Sequence, residues 1–210
     1  MITTGLLGGS FNPAHGGHRA ISLFAIDALG LDEMWWLVSP GNPLKAGAKD
    51  MAPLAARLTS ARKQSQLSRI KPTAIEHEFG TYYTIDALRI LVARYPKRRF
   101  IWIMGADNLV QFIQWRKWRE IAKLMPIAVI ARPGYDAPAV AAPVMAWFRR
   151  FVRRPDQRHS WANWSTPALV YLRFRPDPRS ATALRRADPQ WFKAYSGRAM
   201  RDPVTRKYLR

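Results

Sequence analysis

Along the chain, apolar residues fall into short continuous runs separated by longer stretches in which they recur every three or four positions. Short runs bounded by Gly or Pro predict buried strands, and the wider spacing predicts amphipathic helices. Residues 2–7 predict a first strand, leading into the Gly/Pro-rich turn 8–13. Ile21, Phe24, Ala25 and Ala28 give 15–29 a helical stripe that ends at Gly30. A second strand is predicted at 34–38, a loop at 39–50, a basic amphipathic helix at 53–67 and a third strand at 73–78. Ile85, Leu88, Leu91 and Val92 share one face of a helix over 84–95, and 100–104 predict a fourth, strongly apolar strand. Short helices at 109–112 and 118–124 flank a turn at 115–117, and 127–131 predict a fifth strand. Beyond Tyr135 the pattern thins. It predicts a helix over 137–152, an exposed Arg/Trp-rich loop at 153–166, a last strand at 168–174 and a helix start at 180–186. A basic, Pro-interrupted end follows at 198–210.

Strands alternating with helices at this rhythm predict βαβ units. The expected fold is α/β, a Rossmann-like open parallel sheet with helices on both faces and a small C-terminal helical extension. Residues 1–190 form the expected domain, and 191–210 a basic tail.

Composition narrows the function classes. A hydrophobic share of 48% with nine Trp and nine Phe suffices for a real core. The absence of cysteine excludes disulfides, thiolate catalysis and Cys-based metal sites, and suits a reducing cytosol. No basic segment precedes an apolar stretch at the start, and no apolar run reaches the roughly 20 residues that span a bilayer. A soluble, cytoplasmic protein is expected. The net charge is +20, and beyond residue 145 there are 16 Lys/Arg against 4 Asp/Glu. Such a field attracts polyanions, although a solvated basic surface without a partner has the same composition.

Chemistry concentrates at Gly8-Gly9-Ser10-Phe11-Asn12-Pro13-Ala14-His15-Gly16-Gly17-His18. A strand running into a glycine turn and then a helix aims free backbone N–H groups at an anion, and glycine lets the backbone approach a phosphate. His15 and His18, three apart, share a face on a helix and can donate to phosphate oxygens. Two histidines at this spacing could instead hold a metal, but no third ligand is evident, so no metal site is expected. They could also be surface residues without a role.

This segment resembles the signature Gly-x-Phe-[Asp/Asn]-Pro-x-His-x-Gly-His of the nucleotidyltransferase superfamily, matching at Gly9, Phe11, Asn12, Pro13, His15, Gly17 and His18. Asn12 stands where many relatives carry Asp. Other segments resemble the bacterial nicotinate-nucleotide adenylyltransferase branch. Ser39-Pro40-Gly41-Asn42-Pro43-Leu44-Lys45 is similar to its loop after the second strand. Tyr83-Thr84-Ile85-Asp86 is similar to its Tyr-Thr-[Ile/Val]-Asp segment, and Gly105-Ala106-Asp107-Asn108 to its Gly-[Ala/Gln]-Asp-x block with tryptophans downstream. Ser180-Ala181-Thr182-Ala183-Leu184-Arg185 is similar to a Ser-Ser-Thr-x-Ile-Arg element.

The resemblance implies an enzyme that joins ATP to nicotinate mononucleotide, giving nicotinate adenine dinucleotide and pyrophosphate in NAD biosynthesis. It assigns catalysis to His15, His18, Lys45 and Arg185. ATP would lie on Gly8, Gly9, Ser10, Phe11, His15, His18, Gly105, Asp107, Ser180, Thr182 and Arg185. The mononucleotide would lie on Asn42, Lys45, Thr84, Trp115 and Trp118. Lys45 could equally be an exposed lysine, Thr84 an ordinary N-cap and Trp118 a core anchor. Mg²⁺ is expected, held mainly by ATP phosphates. Nicotinamide mononucleotide or a pantetheine phosphate are alternative acceptors. A basic RNA-binding protein, with Arg149–Arg158 beside Trp161 and Trp164, is the alternative from another class.

Overall fold

A computed structural model of the protein describes residues 1–41, 50–131, 136–174, 180–195 and 200–209. The chain begins with β1 (Ile2–Gly9), α1 (Gly16–Leu29), β2 (Glu33–Val38), α2 (Leu54–Gln64), β3 (Ile70–Thr73) and the single turn α3 (Ile75–Glu78). It continues through α4 (Thr84–Arg94), β4 (Arg98–Gly105), α5 (Ala106–Gln111), α6 (Trp118–Leu124) and β5 (Ile127–Ile130). Then come α7 (Asp136–Val140), α8 (Pro143–Phe148), β6 (Val152–Arg153), a 3-10 helix at Pro155–Asn163 and β7 (Leu169–Leu172). The last elements are α9 (Ala181–Ala187), a 3-10 turn at Trp191–Tyr195, β8 (Met200–Arg201) and β9 (Tyr208–Leu209).

Seven strands form one sheet in the order β3-β2-β1-β4-β5-β7-β6, and every adjacent pair is parallel. Strands buried on both sides read as continuous apolar runs, because successive side chains enter opposite layers. Leu6, Trp35, Trp102 and Val129 pack on one face against Leu88, Leu109, Ile121 and Phe148 from α4, α5, α6 and α8. Leu7, Trp36, Ile103 and Ile130 pack on the other against Ile26, Leu58 and Trp161. The α/β fold with helices on both faces is as expected from the sequence. Strand order reverses between β1 and β4, so the connections leaving their C-terminal ends pass to opposite faces and open a crevice where parallel sheets of this kind bind ligands.

Several elements differ from the sequence pattern. The third strand is Ile70–Thr73, and 75–78 is helical. Asp202, from the far end of the chain, accepts from the Thr73 hydroxyl (2.9 Å) and the Ala74 N–H (2.7 Å), which ends the ladder there. The helix expected at 53–67 stops at Gln64. The one expected over 137–152 breaks at Ala142, whose ψ of 141° reflects the clash imposed by Pro143. The stretch 153–166 is largely exposed but is built on a 3-10 helix rather than a loop, and its Trp161 is buried, donating its indole N–H to the Leu29 carbonyl at 2.8 Å. That ring is therefore unavailable as a stacking surface for RNA. The C-terminal segment also folds back, with β8 and β9 pairing antiparallel and Met200 buried.

Candidate active site

β1 delivers Gly8 and Gly9 to the crevice at the switch point. A Cβ on Gly8 would stand 2.6 Å from the Trp102 ring, so only glycine lets β1 and that indole pack this closely. Phe11 adopts a φ of 47°, a left-handed conformation costing a non-glycine residue about 1–2 kcal/mol. Its ring offsets that cost by stacking on Trp36 (5.0 Å, 18°) and leaning on His18 (4.9 Å). Asn12 is buried. Its Nδ2 donates to the Asp50 carbonyl (2.8 Å) and its Oδ1 accepts from the Ala52 N–H (3.2 Å), fastening the turn to the approach to α2. An amide does both; a carboxylate could only accept.

His15 is the N-cap of α1 rather than a residue within it, yet the two rings lie 3.9 Å apart at 43°. Their Nδ1 atoms are engaged reciprocally. His15 Nδ1 accepts from the Gly17 N–H (3.1 Å), and His18 Nδ1 accepts from the His15 N–H (3.2 Å). This is a capping box in which both members are imidazoles. An Nδ1 that accepts must carry its proton on Nε2, so the cap sets both tautomers and makes each Nε2 a donor.

On the opposite wall, β4 ends at Gly105. A Cβ there would meet Asp107 Oδ1 at 2.5 Å, so glycine allows that carboxylate to fold back over the turn. Trp115 meets Trp102 edge-on at 6.1 Å and Phe112 at 5.3 Å, within reach of the Gly8 end of β1. The neighbouring Arg116 guanidinium lies 4.5 Å over the Tyr83 ring and ties the Trp115 turn to the start of α4. Thr84 is the first helical residue there, and Tyr83 is the N-cap without a side-chain bond, so Thr84 does not act as the cap. Trp118 turns away. It packs against Phe112, Trp147 and Phe148 with Arg119 over its face, a packing anchor in this arrangement.

The third wall comes from the far end of the sequence. Ser180 caps α9 by accepting from the Ala183 N–H (3.2 Å). Arg185 donates Nε to Asp50 Oδ2 (2.7 Å) and a terminal nitrogen to the Asn12 carbonyl (2.7 Å). Between α2 and α9 lies a cleft lined by Ala52, Pro53, Thr182, Arg185, Arg186 and Phe192. Asn42 and Lys45 lie outside the described residues.

Three participants are not singled out by the motifs: Trp102 beneath Gly8, Asp50 opposite Arg185, and Arg57. Arg57 is 1% exposed and lies behind the turn, where it donates to the carbonyls of Ala52 (2.8 Å), Ser10 (2.8 Å) and Ser39 (2.7 Å). Burial pushes its guanidinium down to about 10. The one available signal is an arginine on the apolar stripe of an amphipathic helix, beside Leu58 and one turn from Leu54 and Ala61.

The cytidylyltransferase-like family profile matches residues 6–187. A protein of Erythrobacter litoralis named "Probable nicotinate-nucleotide adenylyltransferase" is 59% identical over 208 residues, covering 99% of this chain and 94% of that one. One of the same name from Bradyrhizobium sp. is 46% identical, covering 89% and 97%. Among solved structures, Plasmodium falciparum nicotinic acid mononucleotide adenylyltransferase complexed with NaAD superposes with a TM-score of 0.65. It is 14% identical, and the match covers 89% of this chain and 83% of that one. The same enzyme complexed with APC gives 0.63 at 13% identity and the same coverage. At such identities the likeness concerns the fold.

Proposed function

Because the chain belongs to the cytidylyltransferase-like family, and within it to the nicotinate-nucleotide adenylyltransferases, we propose that it joins ATP to nicotinate mononucleotide, giving nicotinate adenine dinucleotide and pyrophosphate. The observation that carries this reading is the pair of reciprocally locked histidines beside a glycine turn at the sheet's switch point. The mononucleotide's 5′-phosphate oxygen attacks the α-phosphorus of ATP. The bond to the bridging oxygen breaks, and pyrophosphate leaves with the electron pair. The nucleophile is already an anion, so no general base is required. Catalysis rests on in-line placement and on charge neutralisation.

His15 and His18 donate from Nε2 to the phosphate undergoing transfer. Both rings are already held by the cap, so little reorganisation is needed during reaction. Gly8, Gly9, Ser10 and Phe11 supply the close backbone approach, and Gly105 and Asp107 hold the adenosine side through a ribose hydroxyl. Ser180, Thr182 and Arg185 close over the outer phosphates, with Arg185 exchanging the Asp50 carboxylate for ATP. Asn42 and Lys45 would meet the mononucleotide. Trp115 offers a ring face to the pyridine, and Thr84 with the first N–H groups of α4 receives the nicotinate carboxylate. Trp118 supports that wall from behind. The guanidinium of Arg116 beside Tyr83 favours a carboxylate over the neutral amide of the nicotinamide form. Mg²⁺ would be held mainly by the ATP phosphates, where it would offset charge on the pyrophosphate leaving group. Among the described residues no three His, Asp or Glu cluster together, and water would complete its coordination.

Residues 1–190 carry the chemistry, and 191–210 are an extension whose Met200, Arg201 and Asp202 bond to α2 and β3. The cytoplasm suits a cysteine-free chain in which no described helix is long and apolar enough to cross a membrane. The test is dinucleotide and pyrophosphate formation from ATP, Mg²⁺ and each candidate acceptor. Nicotinate mononucleotide should turn over fastest, and preference for nicotinamide mononucleotide or a pantetheine phosphate would overturn the choice of substrate.

A further inference from the structure

Arg57 is held entirely by neutral groups. Its three acceptors are main-chain carbonyls, and among the described residues no Asp or Glu pairs with it. A protein rarely buries a cation this way, because desolvation is repaid poorly without a counter-charge. The charge nonetheless persists at neutral pH, since burial lowers the guanidinium only to about 10.

The three carbonyls belong to three segments. Ser10 lies in the turn after β1, Ser39 follows β2, and Ala52 precedes α2. One planar fork thus ties the glycine turn to the loop that leads to 42–49 and to the approach to α2. It does so from a position only 1% exposed to solvent. Asn12 makes a second tie between the same turn and the Asp50–Ala52 backbone, so the turn is pinned twice by side chains that themselves cannot reach solvent.

We propose that Arg57 is a positioning residue that also acts electrostatically, its fork fixing the β1–α1 turn while its buried positive charge takes the triphosphate of ATP as counter-ion. The role rests on the adenylyl-transfer reading. It differs from that of His15, His18 and Arg185 in that Arg57 acts through the Ser10 main chain rather than by touching the substrate. Solvent and salt screen a buried charge weakly, so its attraction for a polyanion endures where surface arginines lose theirs.

The experiment separates charge from geometry. Arg57→Lys keeps the charge and loses the fork, whereas Arg57→Gln loses the charge. Dissociation constants for ATP, inorganic tripolyphosphate and uncharged adenosine are measured for both variants and the natural protein, together with kcat and thermal midpoints. Arg57→Gln should weaken ATP and tripolyphosphate roughly tenfold or more, the size of one unit charge about 10 Å away at an effective dielectric of about 20. Arg57→Lys should hold both within about threefold while kcat falls, and adenosine should bind all three proteins alike. Equal loss of tripolyphosphate binding in both variants, or none in Arg57→Gln, overturns the proposal.

If neither variant folds, guanidinium ¹⁵N spectra of the natural protein decide. A slowly exchanging arginine Nε–H signal should shift when tripolyphosphate is added, and an unmoved one counts against the idea. Adenylyl transfer by the natural protein is assayed in parallel. Its absence would remove the proposed reaction, while the tripolyphosphate measurements would still judge Arg57.

Discussion

His18 has two separable roles under the proposed mechanism, one for each ring nitrogen. Nδ1 accepts the His15 N–H at 3.2 Å and closes one half of the α1 cap, whereas Nε2 carries the proton assigned to the phosphate. Losing half a cap costs about 1 kcal/mol, which for a domain of this size lowers the thermal midpoint by about 2–4 °C. Losing a preorganised donor costs about 10²–10³ in kcat. Asparagine places an oxygen near the Nδ1 position, and glutamine reaches toward Nε2. His18→Asn should therefore melt within about 2 °C of the natural protein, yet turn over about 10² or more slower, with the KM for ATP changed less than about threefold. His18→Gln should show the opposite bias: a lower midpoint, and kcat at least about tenfold above His18→Asn. His18→Ala should remain folded and combine both losses. Pyrophosphate release and thermal melts measure the two quantities. A stable His18→Asn protein with kcat within about threefold of natural would show that the Nε2 donor has no part in the reaction.

Other residues offer independent checks. Asp50→Asn removes the carboxylate that competes for Arg185. As an exposed pair worth at most about 1 kcal/mol, its loss should tighten ATP by up to about fivefold with little change in melting; weaker ATP binding would refute the competition. Asp202 accepts from the Thr73 hydroxyl and the N–H groups of Ala74, Val204 and Thr205 while 2% exposed. Asp202→Ala should cost about 3 kcal/mol or more and speed amide exchange at 204–205, and unchanged exchange would contradict the clasp. Burial raises Glu76 to about 7. Between about pH 4.5 and 7 the unfolded chain sheds this proton and the folded chain keeps it, so stability falls as pH rises through that window, by up to about 3 kcal/mol. Glu76→Gln should flatten the fall in denaturant melts, and an unchanged slope would exonerate Glu76.

The sheet was legible because strands buried on both faces must be apolar throughout, as at Phe100–Met104 and Ile127–Ile130. The glycine turn and histidine pair were legible because their chemistry lies within eleven consecutive residues. What escaped depended on contacts across the sequence. Ile75 looked like strand continuation until Asp202, some 130 positions away, took the Ala74 N–H. Trp161 looked exposed among arginines, and only the Leu29 carbonyl explains its burial. Arg57 fell within a helix read only as basic and amphipathic, since periodicity reveals which face a residue occupies but not which carbonyls await it.

The bond from Arg185 to the Asn12 carbonyl joins positions 173 apart in sequence, and the histidine cap sits beside it. During synthesis the motif-bearing first segment leaves the ribosome long before its partner exists. A nascent chain thus carries the signature without a finished pocket. An N-terminal fragment ending before α9 would show the motif in full and grip ATP poorly.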